Sequence, residues 1–343
     1  MKRTHLFHLS DQKPHNQSPG GFRIKAYSEN FPILKGMSLY KLLLEPSSAR
    51  EPHWHPNADE FGYCLEGEVL VSFYHTNNLK QTFLVQAGDA FFIPSGAFHC
   101  IMNVGKKSAE LLLQFSHENA EEFNLPSTMG IFSNAVLGNT WGVNSKLFET
   151  LHRPLKDQFA VLLKEQVQVP SEAHQTSLYH YPLEKSEPIL DTLSGSVRMA
   201  KQNVWPILQR QALYSLHLTG QGMREPHWHP ETAELGYVRS GIGRMTILNP
   251  NGAKETYTLK PGDVYFIPKA YPHHIENLEN TPLHFLIFFD QPMPSDIGFT
   301  SSIPSLPNEV LADVLQTKPS FFNQLHKYYT DQFIVEKINP VDP

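Results

Sequence analysis

Cysteine is almost missing from this chain: Cys64 and Cys100 are the two examples in 343 residues, and they form no CxxC spacing. A disulfide framework is therefore not expected, and the usage fits a reducing compartment such as the cytoplasm. A basic excess is missing as well. Lys and Arg number 28 against 34 Asp and Glu, for a formal charge of −6 and a pI near 6.3. Neither nucleic acid nor an anionic membrane is expected as a partner. No run of about 20 apolar residues occurs, which argues against a spanning helix. The opening MKRTHLFHLSDQKPHNQSPGG lacks an apolar core of roughly 7–15 residues, so no secretory leader is expected. Hydrophobic residues still make up 40% of the chain, enough for a large core. At this length two domains are the natural expectation.

Histidine is plentiful, with 18 residues, and its spacing carries the information. The heptapeptide REPHWHP occurs at Arg50 and again at Arg224, 174 residues later. The same offset maps Glu60 to Glu234, Gly67 to Gly241, Gly88-Asp89 to Gly262-Asp263, Pro94 to Pro268, His99 to His273 and Asn103 to Asn277. Upstream it relates Phe31-Pro32-Ile33 to Trp205-Pro206-Ile207, and downstream Asn134, Val136, Leu137 and Phe148 to Asn308, Val310, Leu311 and Phe322. One gap-free offset over more than a hundred residues means a duplicated unit.

Each copy reads as strands. Short runs rich in Val, Phe, Tyr and Ile are broken by Gly, Pro and Asn, and Asn249-Pro250-Asn251-Gly252 marks a turn between two of them. The pattern predicts an all-β pair of barrels or double-sheet jelly rolls. Helical spacing follows each, around 127–151 and 307–330. The expected divisions are an N-terminal arm (1–25), a first barrel with helical tail (26–151), a bridge (152–199), a second barrel (200–300) and a helical C-terminal segment (301–343).

Residues i and i+2 of a strand share a face. His53 and His55 can therefore both point inward while Trp54 points away, with Glu60 returning a carboxylate after a turn and His99 arriving from a distant strand. Three imidazoles and one carboxylate suit manganese, iron, nickel or zinc. His227, His229, Glu234 and His273 repeat the set. A lone His-x-His is more often a packed strand than a ligand pair; duplication of the whole spacing, distal histidine included, favours the metal. His117, His180, His274 and His284 lack such partners and read as surface or packing residues. Cys64 and Cys100 read as small apolar residues, and Trp54 and Trp228 as packing between sheets.

These residues resemble both motifs of the cupin superfamily. His53-x-His55-x4-Glu60-x6-Gly67 is followed by Gly88-x5-Pro94-x-Gly96-x2-His99-x3-Asn103, and the second copy matches except for Ala270, where the motif has glycine. The glycine that opens the first motif is replaced by Ser47 and Gln221. More narrowly, GMREPHWHPETAELGYVRSGIGRMTI and FFIPSGAFH are similar to the oxalate decarboxylase branch of two-barrel cupins, from about Gly20 to the C-terminus. That resemblance implies two manganese sites and cleavage of oxalate to formate and carbon dioxide with dioxygen as cofactor. It also implies an arginine three residues before the first histidine that orients the substrate; Arg50 and Arg224 stand there. A bidentate guanidinium–carboxylate contact fits that role, and an ion pair with Glu51 or Glu225 is the plainer alternative.

The family's proton donor sits on a lid of Ser-Glu-Asn-Ser-Thr type. The corresponding Ser116-His117-Glu118-Asn119-Ala120-Glu121-Glu122-Phe123 lacks the Ser/Thr frame, leaving Glu118 and Glu122 as candidates and a solvated acidic loop as the alternative. Where the second barrel of the family often has a glutamate, this chain has Ile287, which favours the first site for proton transfer. Oxalate oxidation, another cupin dioxygenase reaction and a non-catalytic metal- or ligand-binding role stay open. Aromatic residues of the C-terminal segment, among them Phe321, Phe322, Tyr328 and Tyr329, favour a homo-oligomer.

Overall fold

The computed structural model describes residues 4–155, 158–326 and 328–341. It divides into two units, one formed by residues 12–185 and the other by residues 1–11 with 186–343. Each unit is a pair of antiparallel sheets that do not close on themselves, a jelly roll followed by short helices.

In the first unit one sheet runs, in spatial order, His180–Tyr181, Ala90–Ile93, Glu60–Glu66, Ala109–Phe115, Ser38–Leu44, Gly21–Ala26 and Asn16–Ser18. The other runs Phe123–Asn124, Ser48–Trp54, Phe98–Asn103, Glu68–His75 and Leu79–Gln86, with Ala160–Leu162 also pairing with Ser48–Trp54. Period-two alternation explains the inner face: in Phe98–Asn103 the residues His99, Ile101 and Asn103 are buried and their neighbours are not. Leu42, Leu44, Leu111 and Leu113 from one sheet meet Val69, Val71, Phe83 and Ile101 from the other. Each such side chain contributes about 1.5–3 kcal/mol on burial.

The second unit repeats this design. Its first sheet runs Leu6–His8, Asp263–Ile267, Glu234–Ser240, Leu283–Phe289, Ala212–Leu218, Gly195–Ala200 and Leu190–Thr192. Its second runs Lys254–Leu259, Gly243–Leu248, His273–Asn277, Gly222–Trp228 and Ile297–Gly298, with Ile334–Glu336 also pairing with Gly222–Trp228.

The strands cross the boundaries expected from composition. The supposed arm contains Leu6–His8, Asn16–Ser18 and Gly21–Ala26; the supposed bridge contains Ala160–Leu162, His180–Tyr181, Leu190–Thr192 and Gly195–Ala200; the supposed helical end contains Ile334–Glu336. These short edge strands are recruited by backbone pairing, which a Pro-, Gly- and His-rich composition conceals. The 174-residue offset runs through them too. Leu6 pairs with Tyr265 and His180 with Phe91, so the leading strand of each repeat lies against the equivalent strand of the other repeat. A histidine fastens each one: His8 Nδ1 lies 2.7 Å from Asp263, and His180 Nε2 lies 2.9 Å from Asp89.

Helices occupy Leu125–Gly130 and Asn134–Trp141 in the first unit and Phe299–Ser302, Asn308–Val314 and Pro319–Phe322 in the second. Ala270 keeps the turn of its missing glycine by taking φ of 62°, where Gly96 has 75°. A side chain in that region costs about 1–2 kcal/mol. Ser47 does the same with φ of 54°.

Candidate metal centre

Ser48–Trp54 and Phe98–Asn103 pair antiparallel, with His53 directly opposite His99 and a register shift before Ile101 meets Arg50. Glu60 opens the strand of the other sheet and pairs with Ile93 and Phe115. Inward projection from both sheets brings His53, His55, Glu60 and His99 together, each at most 3% exposed. One candidate ligand atom from each lies within 4.8 Å of all the others. His227, His229, Glu234 and His273 form the same cluster in the second unit, again with the first and last histidines cross-strand neighbours.

The hydrogen bonds decide which nitrogens face the centre. His53 Nδ1 lies 2.8 Å from the carbonyl of Glu51, His55 Nδ1 2.7 Å from that of Glu121 and His99 Nδ1 2.8 Å from that of Ala97. A carbonyl can only accept, so each Nδ1 carries the proton and each Nε2 turns a lone pair inward. The Nδ1 atoms of the second set face the carbonyls of Glu225, Ser295 and Tyr271 in the same way, while His229 Nε2 lies 2.8 Å from Glu234 Oε2 and shares a proton with it until a cation displaces it. His55 Nε2 and His99 Nε2 stand 3.2 and 3.3 Å from Glu60 Oε2, yet neither they nor the Glu60 oxygens make a well-formed hydrogen bond. Four buried donor atoms left in this state fit a bound divalent cation. Burial alone would raise the Glu60 carboxyl, but His55 and His99 bring it down to about 2. Burial, helped by Arg50, keeps His53 neutral, well below its usual value, as a ligand must be.

The two arginines sit on the same strands as the histidines. Arg50 Nη1 donates to the carbonyl of Phe159 at 2.8 Å, and its Nη2 is 3.0 Å from Glu122 Oε2. Glu122 is also gripped by Arg23, with Nη1 and Nη2 at 2.7 and 2.8 Å from its two oxygens. Burial would raise Glu122, but Arg50 and Arg23 hold it well below the carboxylate range. Glu118 is elsewhere, accepting from the backbone N–H of Gly36 at 2.9 Å. Glu51 pairs loosely with Arg50 at 3.6 Å and accepts from the Phe159 N–H at 3.1 Å.

The second centre has a carboxylate that reading Ile287 alone had overlooked. Arg224 pairs with Asp296 and donates to the carbonyl of Phe333 at 2.9 Å. The other Asp296 oxygen is 2.8 Å from His229 Nδ1. Asp296 lies 174 residues after Glu122, and Phe333 the same distance after Phe159, so extending the offset past the strands would have found both. Against burial, Asp296 and Glu234 raise His229 to about 9. Glu234 differs from Glu60 in a further way: it accepts from the Tyr265 hydroxyl at 2.7 Å, where the first unit has Phe91. Ile287, Phe289, Tyr214 and Phe333 help to wall a cavity of about 10 Å³ beside Arg224 and the ligands, room for about one water-sized group.

Gly62 and Gly236 complete the frame. A Cβ on either would stand 2.0 Å from the ring of Phe91 or Tyr265, so these strand positions admit no side chain. Trp54 packs at 6.2 Å from Phe98 and 5.5 Å from Phe123 between ring centroids. Cys64 is buried, and neither cysteine forms a disulfide.

Comparison with known proteins gives the same two repeats. A cupin family model matches residues 7–147 and again 181–321, keeping the 174-residue spacing. Oxalate decarboxylase OxdC of Bacillus subtilis is 28% identical over 329 residues, covering 94% of this chain and 84% of that protein. A probable oxalate decarboxylase of Arthroderma benhamiae is 23% identical, covering 92% of this chain and 79% of its own length. A germin-like protein of Arabidopsis thaliana is 36% identical over 129 residues, which is 37% of this chain and 57% of that one. A solved structure from work on the Mn(II) centres of B. subtilis oxalate decarboxylase superposes with a TM-score of 0.86 at 25% identity, covering 98% of this chain and 90% of its own.

Proposed function

The chain belongs to the cupin family, and from that premise we propose that it cleaves oxalate to formate and carbon dioxide at the first centre, with manganese as resident metal and dioxygen as cofactor. The observation that carries this reading is the convergence, in one buried place, of the four first-unit ligands with Arg50 and the Glu122 carboxylate. Full-length similarity to oxalate decarboxylases supports the substrate.

His53, His55, Glu60 and His99 would hold the ion, and the second set a further one. Manganese, when bound, supplies Lewis-acid charge and a redox-active centre. Arg50 orients the substrate through one carboxylate, its guanidinium held by the Phe159 carbonyl. The C–C bond breaks, one carboxyl carbon leaves as carbon dioxide, and the other takes a proton to become formate. Glu122 is the candidate we favour over Glu118 for delivering that proton, because it is bridged to Arg50 while Glu118 accepts from the Gly36 N–H. Arg50 and Arg23 keep it ionised at rest. A substrate carboxylate that occupies Arg50 removes part of this stabilisation, and a desolvated carboxyl freed from a cation takes up a proton more readily.

The second centre is read as structural or electronic in role, because Asp296 is committed to both Arg224 and His229. Two cysteines without a disulfide fit a cytoplasmic location, and no helix among the described residues is long and apolar enough to cross a membrane. Exposed Ile131, Trp141, Leu147, Val310, Val314 and Phe321 on the helical segments favour a homo-oligomer, which light scattering will show as a mass above 39.0 kDa.

Purified manganese-loaded protein given oxalate under air is expected to yield formate and carbon dioxide in equal amounts. Hydrogen peroxide in place of formate would establish oxalate oxidation. No product after both sites are filled would leave a binding protein.

A further inference from the structure

The first centre carries a second guanidinium that its duplicate lacks. Counting by the 174-residue offset, Arg23 corresponds to Val197 and Lys25 to Met199. Arg23 is 4% exposed and Arg50 is 2% exposed. Burying two like charges side by side is costly unless an anion lies between them. That anion is Glu122, which bridges both.

Each arginine also has a support that does not depend on Glu122. Asn16 Oδ1 accepts from Arg23 Nε and Nη2 at 3.1 and 2.9 Å, and the Phe159 carbonyl accepts from Arg50. The ring of Phe159 lies 5.3 Å from the Arg23 guanidinium carbon and 5.1 Å from that of Arg50. Both guanidinium groups are therefore placed before any ligand arrives. Glu122, by contrast, lies in an irregular stretch between strands and is held through the arginines it bridges. A carboxylate held between two fixed guanidinium groups has the form of an occupied anion seat.

We propose that Arg23 and Arg50 form a two-guanidinium seat for the substrate carboxylate remote from the metal, and that Glu122 is the resident carboxylate which the substrate displaces. Arg23 is then a specificity residue that makes the first centre a dicarboxylate site. Asp296 has one guanidinium and a histidine for partners, so the second centre offers no such seat. Displacement also explains how Glu122 changes from ion-pair partner to proton donor. This inference rests on the small-carboxylate reading of the first centre.

The test is calorimetric titration of manganese-loaded, dioxygen-free protein with oxalate, malonate and formate, which reads binding without turnover. Glu122→Gln is expected to tighten oxalate and malonate about tenfold by neutralising the competitor. Arg23→Gln, able to keep its bond to Asn16, is expected to weaken both by about 10–100-fold, the worth of a bidentate charge-assisted contact, with formate changed by less than about threefold. Near-ultraviolet dichroism checks folding, and Arg23→Lys replaces Arg23→Gln if that variant fails to fold. Glu122→Gln that leaves dicarboxylate affinity unchanged or weaker overturns the proposal, as does Arg23→Gln that weakens formate as much as oxalate. Wild-type protein that ignores oxalate while Glu122→Gln takes malonate would sink oxalate as substrate and keep the seat. Failure of Glu122→Gln to bind either dicarboxylate sinks the seat.

Discussion

Replacing Asp296 by Asn should change how the second centre competes with protons. His229 Nδ1 has two acceptors, Asp296 Oδ1 at 2.8 Å and the Ser295 carbonyl at 3.1 Å. Asn leaves the carbonyl contact and an amide oxygen in place but removes the charge. Loss of an outer partner to a ligating histidine typically weakens metal binding by 10–100-fold; with one acceptor retained, about tenfold is expected here, or about 1.4 kcal/mol. A second effect opposes this. His229 is raised to about 9, so the metal-free centre holds a proton at pH 7 that an incoming cation must displace. That proton stabilises the metal-free fold below the unfolded value of about 6.5, and the benefit is lost as pH rises through 9. Between pH 7 and 9 the wild-type affinity at this centre should therefore climb by about tenfold per pH unit. In Asp296→Asn the climb should flatten, so that the variant, about tenfold weaker above pH 9, gains on the wild type as the pH falls toward 7. The assay is manganese titration of metal-stripped protein across pH 6.5–9.5, read by the electron paramagnetic resonance of free Mn²⁺, in a Glu60→Gln background that silences the first centre. An unchanged slope in Asp296→Asn refutes the proton-competition argument.

Other outcomes can be checked with simpler measurements. Glu60→Gln should lower bound manganese from two ions to one per chain by elemental analysis, and Glu234→Gln should do the same at the other centre. Asn103 donates to the carbonyls of Leu44 and Lys107 and accepts from the Gly105 N–H; Asn103→Ala should cost about 3 kcal/mol in urea unfolding at about 1 kcal/mol per bond, with the metal count unchanged. Gly62→Ala drives a methyl group into the Phe91 ring, so a loss of about 3 kcal/mol and weaker manganese binding at the first centre alone are expected. Burial would raise Asp89, but its bond from His180 holds it below the usual value. Its contribution is thus present above about pH 3.8 and fades as pH falls through the lower folded value; Asp89→Asn should lessen the acid dependence of unfolding between pH 5 and 3.

The eight candidate ligands were legible in the chain because their geometry is local and repeated. His-x-His on a strand faces one way by stereochemistry alone, and the 174-residue offset turns a weak motif into a strong one. The same offset fixed the jelly-roll texture and the equivalence of Arg50 and Arg224. Composition failed at the edges, where strands such as Leu6–His8 and Ile334–Glu336 exist through backbone pairing and not through their own patterning. Side-chain partnership was hidden for a related reason. Glu118 and Glu122 look interchangeable four residues apart, and only packing puts one on the Gly36 N–H and the other between Arg23 and Arg50. Nothing about Arg23 in the sequence announces that it meets a residue 99 positions away. Ligand identity is thus a property of the repeated strand. The difference between the two centres comes from long-range contacts that electrostatics rewards only once the chain has folded.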